Sequence, residues 1–158
     1  MVDILFTKGK KTHNVHKLLK TLFILALSQN LKSKFNIDKL KYTTNHWTYP
    51  GVFLSASHCQ NNVIVAISKK PLGIDLEQIN NPLLNTQMWK RIITKEEKKK
   101  YHSNYSKIKL LKLWTRKEAI YKMLRTKCFV PNKINTLDFN VKTYSIDKKF
   151  ICSIATHV

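Results

Sequence analysis

Residues 63–68 read VIVAIS, an unbroken apolar run set between the turn signal Asn61-Asn62 and the break at Lys69-Lys70-Pro71. A run that never alternates suits a strand covered on both faces. A chain holding such a strand must supply a layer on each side of it, which limits the fold more than any other feature here. The next segment, LGIDLEQ (72–78), does alternate. As a strand it puts Leu72, Ile74 and Leu76 on one face and Gly73, Asp75 and Glu77 on the other. The reversal at 69–71 predicts that residues 63–77 form a β-hairpin.

Local patterns place the other elements. Residues 3–7 read as a short strand. From 13 to 33 the positions Val15, Leu18, Leu19, Leu22, Leu25, Ala26 and Leu31 recur at helical spacing and predict an amphipathic helix. A strand is expected over 40–45, and another begins at 52 and runs into SASHC after the Pro50-Gly51 turn. Thr94 and Glu97 have the spacing of a capping box, which predicts a short helix over 95–102. A longer helix is expected over 107–125, with Leu110, Leu111, Trp114, Ile120, Tyr121 and Leu124 on its apolar face. Two strands close the chain around a tight turn at Asp147-Lys148. This mixture of helices and hairpins indicates an α+β fold.

Only nine residues are acidic against 29 lysines and arginines, a net charge of +20. Two of the nine, Asp75 and Glu77, share one strand face roughly 7 Å apart. Like charges so close disfavour joint ionisation unless a positive group lies between them. A hard divalent cation is one such group; pairing with nearby lysines on a solvent-facing edge is the other reading. On the helix over 107–125, Trp114, Glu118 and Lys122 are four residues apart and lie on one side. Glu118 would supply a third carboxylate. Upstream stands Ser57-His58, followed by Cys59, one of three scattered cysteines that form no CxxC pair and suit a reduced compartment. The longest apolar run, 22–27, is too short to span a bilayer, so a soluble cytoplasmic protein is expected.

Three segments in this order resemble the 4′-phosphopantetheinyl transferases of the surfactin-synthetase-activating type. They are Ser57-His58, Gly73-Ile-Asp75-Leu-Glu77, and Trp114-Thr-Arg-Lys117-Glu118-Ala-Ile-Tyr-Lys122. The resemblance implies the fold of that family: two small pseudo-related lobes, each with antiparallel strands and a helix. Residues 1–70 would form a reduced N-terminal lobe, and 71–158 a C-terminal lobe with the metal site. It implies transfer of the phosphopantetheine arm of coenzyme A to a serine of an apo acyl or peptidyl carrier protein, with Mg²⁺, releasing 3′,5′-ADP.

Carried over by residue, the resemblance makes Asp75, Glu77 and Glu118 the Mg²⁺ ligands and Glu118 the group that deprotonates the carrier serine. Lys122 would contact the transferring phosphate and stabilise the leaving group. Ser57, His58, Lys117 and Lys17 would bind coenzyme A, Lys17 standing where the family has an arginine for the 3′-phosphate. The Gly-Lys-Pro of the family has only Thr48-Tyr49-Pro50 as a counterpart. A monomer is expected, steered by its charge toward acidic carrier proteins. The rivals are a basic nucleic-acid-binding module, which leaves the three carboxylates unexplained, and a non-catalytic relative that binds carrier proteins.

Overall fold

The computed structural model describes residues 2–8, 14–43, 46–80, 86–101 and 106–157, with no account of the side chains at 86 and 89. Residues 2–68 hold β1 (Val2–Lys8), α1 (Val15–Leu31), β2 (Lys41–Thr43), β3 (His46–Thr48), β4 (Phe53–Cys59) and β5 (Asn62–Ser68). Residues 72–156 hold β6 (Leu72–Gln78), α2 (Trp89–Ile92), α3 (Lys95–Tyr101), α4 (Lys107–Leu124), β7 (Asn140–Ile146) and β8 (Phe150–Thr156). Both sheets are antiparallel, ordered β1-β5-β4 and β6-β8-β7. Each half therefore runs strand, helix, hairpin, with its last strand in the middle. A two-stranded ribbon, β2-β3, completes the α+β architecture.

The strand β5 is buried on both faces, as VIVAIS requires. Val63, Val65 and Ile67 pack with Leu19, Leu22, Phe23, Ala26 and Leu27 of α1. Ile64 and Ala66 pack with Leu72, Ile74 and Leu76 of β6 and with Phe150, Cys152 and Ile154 of β8. The opposite face of β8 puts Ile151 against Leu110, Leu111 and Leu113, and Ala155 against Ala119, Ile120 and Met123, all on α4. The layers are thus α1, first sheet, second sheet, α4. The two middle strands alternate between an inner and an outer apolar layer.

The hairpin expected over 63–77 does not form. The ladder groups of β5 are taken on one side by β1 and on the other by β4, so β6 pairs with β8 in the second sheet. The hairpin partner of β5 is β4, with Cys59 opposite Asn62. The two sheets meet where β4 runs beside β6, and there side chains replace the ladder. The Ile74 amide donates to Ser55 Oγ at 3.0 Å, and the Leu76 amide donates to Ser57 Oγ at 3.2 Å.

Most local expectations hold. The capping box closes at both ends: the Glu97 amide donates to Thr94 Oγ1 (3.2 Å) and the Thr94 amide to Glu97 Oε2 (2.9 Å). Asp147 and Lys148 make the turn before β8, with φ of 50° and 54°. The strand expected over 40–45 is β2, and β3 after it was not foreseen. The ends set at His13, Asn45 and His102 lie outside the described residues. Leu124 does not join the apolar face of α4 and is 45% exposed, whereas Leu113, Ala119 and Met123 are buried. Among the described residues no helix is long and apolar enough to cross a membrane.

Candidate active site

On β6, Gly73, Asp75 and Glu77 share the face away from the inter-sheet core, and α4 runs close to this strand. A Cβ on Gly73 would overlap the Ala119 carbonyl oxygen and lie 2.5 Å from the Met123 amide nitrogen. The missing side chain of this glycine admits the helix backbone. That close approach brings Glu118 and Lys122 of α4 to the carboxylates of β6.

Asp75 is only 4% exposed. Its Oδ1 accepts from Ser57 Oγ at 2.9 Å and from Lys122 Nζ at 2.7 Å. Lys122 Nζ also donates to Ser57 Oγ at 3.1 Å. Burial pushes the Glu118 carboxyl up to about 7; the charge of Asp75 adds to this, Lys122 opposes it and Glu77 adds further. Asp75 and Glu77 are therefore close enough to Glu118 to raise its pKa, with one ammonium among the three carboxylates.

The donor set suits a hard divalent cation, which takes carboxylate oxygens. Asp75 Oδ2 is buried and has no hydrogen-bond partner among the described residues. A buried carboxylate oxygen left without a partner is costly, and a bound cation would remove that cost. As they stand, no three His, Cys, Asp or Glu side chains among the described residues are grouped closely enough to hold a metal ion. The charge and the open oxygen fit such an ion, and Lys122 is the cation now at Oδ1.

A cleft of about 770 Å³ leads away from Lys122. Phe23, Tyr42 and Trp47 form an apolar wall, with Phe23 and Trp47 ring centres 5.9 Å apart and those of Tyr42 and Trp47 5.2 Å apart. The lining also includes the basic side chains of His58, Lys122, Arg125 and Lys127. Arg125 ends α4 in the left-handed conformation, with its guanidinium 5.7 Å above the Phe53 ring. A lining that combines aromatic rings with basic side chains suits a ligand that joins an organic moiety to phosphate groups.

The structure brings together Ser57, Asp75, Glu77, Glu118 and Lys122, with His58 exposed on the adjoining cleft wall. Two predicted residues lie apart. Lys17 is exposed on α1 and is not among the cleft-lining side chains. Lys117 is fully buried, pairs with Glu97 Oε2 at 2.7 Å and donates to the carbonyls of Pro131 (3.0 Å) and Ile134. No hydrogen of that ammonium is left for a phosphate. Cys59 sits beside the cluster, but burial raises its thiol pKa and Glu77 and Asp75 raise it further, although a backbone hydrogen bond from Gln78 works the other way. A thiolate nucleophile is disfavoured there.

Sequence reasoning did not single out Trp47, Arg125 or Lys127. Arg125 carried a usable signal, being three residues after Lys122 at the end of the same helix. Trp47 carried none, because its place depends on the β2-β3 ribbon packing over α1. No curated protein matches the chain. Among protein-family models, that of the 4′-phosphopantetheinyl transferase superfamily matches residues 71–156. That segment is more than half of the chain and spans β6, α4, β7 and β8, so the chain belongs to the 4′-phosphopantetheinyl transferase superfamily.

Proposed function

We propose that this protein transfers the 4′-phosphopantetheine arm of coenzyme A to a serine of an acidic apo acyl or peptidyl carrier protein, releasing 3′,5′-ADP. One observation carries the reading. The Glu118 carboxyl, pushed up to about 7 by burial and by the charges of Asp75 and Glu77, lies near the Lys122 ammonium, which lines a cleft together with His58, Arg125 and Lys127. Membership of the superfamily supports the reaction class.

In this reading Asp75, Glu77 and Glu118 hold a divalent cation such as Mg²⁺, which when bound neutralises charge on the diphosphate. The remaining work falls to the side chains. His58, Arg125 and Lys127 bind phosphate groups in the cleft, and Phe23, Tyr42 and Trp47 cover the organic part of coenzyme A. Glu118 accepts the proton of the carrier serine as general base. The serine oxygen bonds to the phosphorus bearing the pantetheine, the diphosphate P–O bond on its far side breaks, and 3′,5′-ADP departs. Lys122 offsets the charge that develops on the leaving phosphate. Such transfers depend on positioning and charge stabilisation more than on covalent help from the protein.

The surfactin-synthetase-activating type is the form we favour. Two halves that each run strand, helix, hairpin in a single chain support it. The net charge of +20 favours rapid encounter with acidic carriers. The test is mass spectrometry of apo acyl and peptidyl carrier proteins incubated with the protein, coenzyme A and Mg²⁺. A gain of one phosphopantetheine unit is expected, and it should vanish with Asp75→Ala and with Glu118→Ala. No gain on either class of carrier would overturn the proposal.

A further inference from the structure

Ser57 stands where β4, β6 and α4 meet, and its hydroxyl is fully used. It donates to Asp75 Oδ1 at 2.9 Å and accepts from the Leu76 amide at 3.2 Å and from Lys122 Nζ at 3.1 Å. A serine hydroxyl has one hydrogen and two lone pairs, so nothing remains for a phosphate in the cleft. The partners are chemically specific. A donor at Oδ1 fixes the rotation of the Asp75 carboxylate, and the other oxygen, Oδ2, is left buried without a hydrogen bond.

We infer that Ser57 is a positioning residue for the cation-binding carboxylate and not a contact for coenzyme A. By holding Oδ1 it makes Oδ2 the oxygen that Asp75 presents to a divalent cation. The inference rests on the proposed reading of Asp75 as a cation ligand. Residues that orient a metal-binding carboxylate through a hydrogen bond strengthen metal affinity without touching the metal.

Ser55 supplies an internal control. It sits two residues earlier on β4, and its Oγ accepts the Ile74 amide at 3.0 Å just as Ser57 accepts that of Leu76. The two serines join the sheets alike, but of the pair it is Ser57 that donates to Asp75. Ser55→Ala and Ser57→Ala should both lower the melting temperature, and only Ser57→Ala should alter cation binding.

The experiment is a Mn²⁺ titration of the metal-free full chain, followed by the electron paramagnetic resonance signal of the free ion, with a parallel titration of coenzyme A. Wild type and Ser55→Ala should bind Mn²⁺ alike, and Ser57→Ala about 10–100-fold more weakly. Coenzyme A affinity of the metal-free protein should be unchanged in Ser57→Ala. Mn²⁺ affinity equal to wild type in Ser57→Ala, or a loss confined to coenzyme A, would overturn the inference and leave the cation reading standing. No Mn²⁺ binding by wild type would instead overturn the cation reading and the inference with it. If Ser57→Ala does not fold by near-ultraviolet circular dichroism, Ser57→Cys decides. Its weaker S–H donor should still loosen Mn²⁺, and unchanged affinity overturns the inference.

Discussion

Glu97 Oε2 and the Lys117 ammonium lie 2.7 Å apart with both side chains wholly excluded from solvent. Every polar position of the pair is occupied. Glu97 Oε1 accepts from the Thr136 amide and Thr136 Oγ1, both at 2.8 Å, and Oε2 also takes the Thr94 amide. Burial works to raise the Glu97 pKa, but the hydrogen bond from Lys117, with those from Thr94 and Thr136, holds it below the usual glutamate value. The pair fastens the start of α3 and the segment 131–136 to the middle of α4, next to Glu118.

Removing either partner should therefore cost about 3–5 kcal/mol, because it leaves a buried charge without its counterion. Glu97→Ala and Lys117→Met each should show this in urea unfolding, and the double variant should lose less than the sum. Conditions that keep Lys117→Met folded should leave its affinity for coenzyme A near wild type. A selective loss of coenzyme A affinity would return Lys117 to the phosphate site.

Gly73→Ala probes how β6 and α4 are held together. The added methyl would meet main-chain atoms of Ala119 and Met123, which cannot move without shifting the helix. Overpacking of this kind costs about 1–3 kcal/mol, occasionally more. The helix that must move carries Glu118 and Lys122, each next in sequence to a contacting residue, so transferase activity should fall further than stability accounts for. Full activity in folded Gly73→Ala would refute the claim that this glycine sets the spacing of the site.

Ionisation of Glu118 should be visible in stability. Its native pKa is raised from 4.5 to about 7. Between those values the native state holds a proton that the unfolded chain has released, so this group's contribution to stability falls as pH rises through the window and is level above it. Glu118→Gln removes the effect. In thermal melts with chelator present, the variant should gain on wild type from pH 5 to pH 8. A difference in melting temperature that stays constant with pH would contradict the raised value.

Much of this was legible because it is local. The alternation in 72–78 and the four-residue spacing of Trp114, Glu118 and Lys122 depend on the period of one element. The strand faces came out as read, with Leu72, Ile74 and Leu76 inside. Pairing is not local. Nothing within 63–77 says that β1 and β4 will take both sides of β5, so the hairpin reading failed. Lys117 was assigned to coenzyme A through the motif it shares with Glu118, whereas the structure buries it against Glu97. Neighbours on a helix differ by about 100° in direction, and here one faces the carboxylates while the other faces Glu97. What fills the space beside Gly73 is the backbone of α4 at Ala119 and Met123, a contact that spacing along the chain does not reveal.

Lys122 is the residue whose loss should separate binding from chemistry. Its ammonium rests on Asp75 Oδ1 and Ser57 Oγ and its charge lowers the pKa of Glu118. In the proposed reaction it offsets charge on the leaving phosphate and so acts mainly in the transition state. Lys122→Ala should thus reduce kcat by about 10²–10³, a typical loss for one such stabilising group, with a smaller change in KM. Without the ammonium, Glu118 of the metal-free protein should also titrate higher. Lys122→Arg keeps the charge, but a planar guanidinium does not match a compact ammonium held between Oδ1 and Oγ, so recovery should be partial. A change in KM alone, with kcat intact, would make Lys122 a binding residue and remove it from the chemical step.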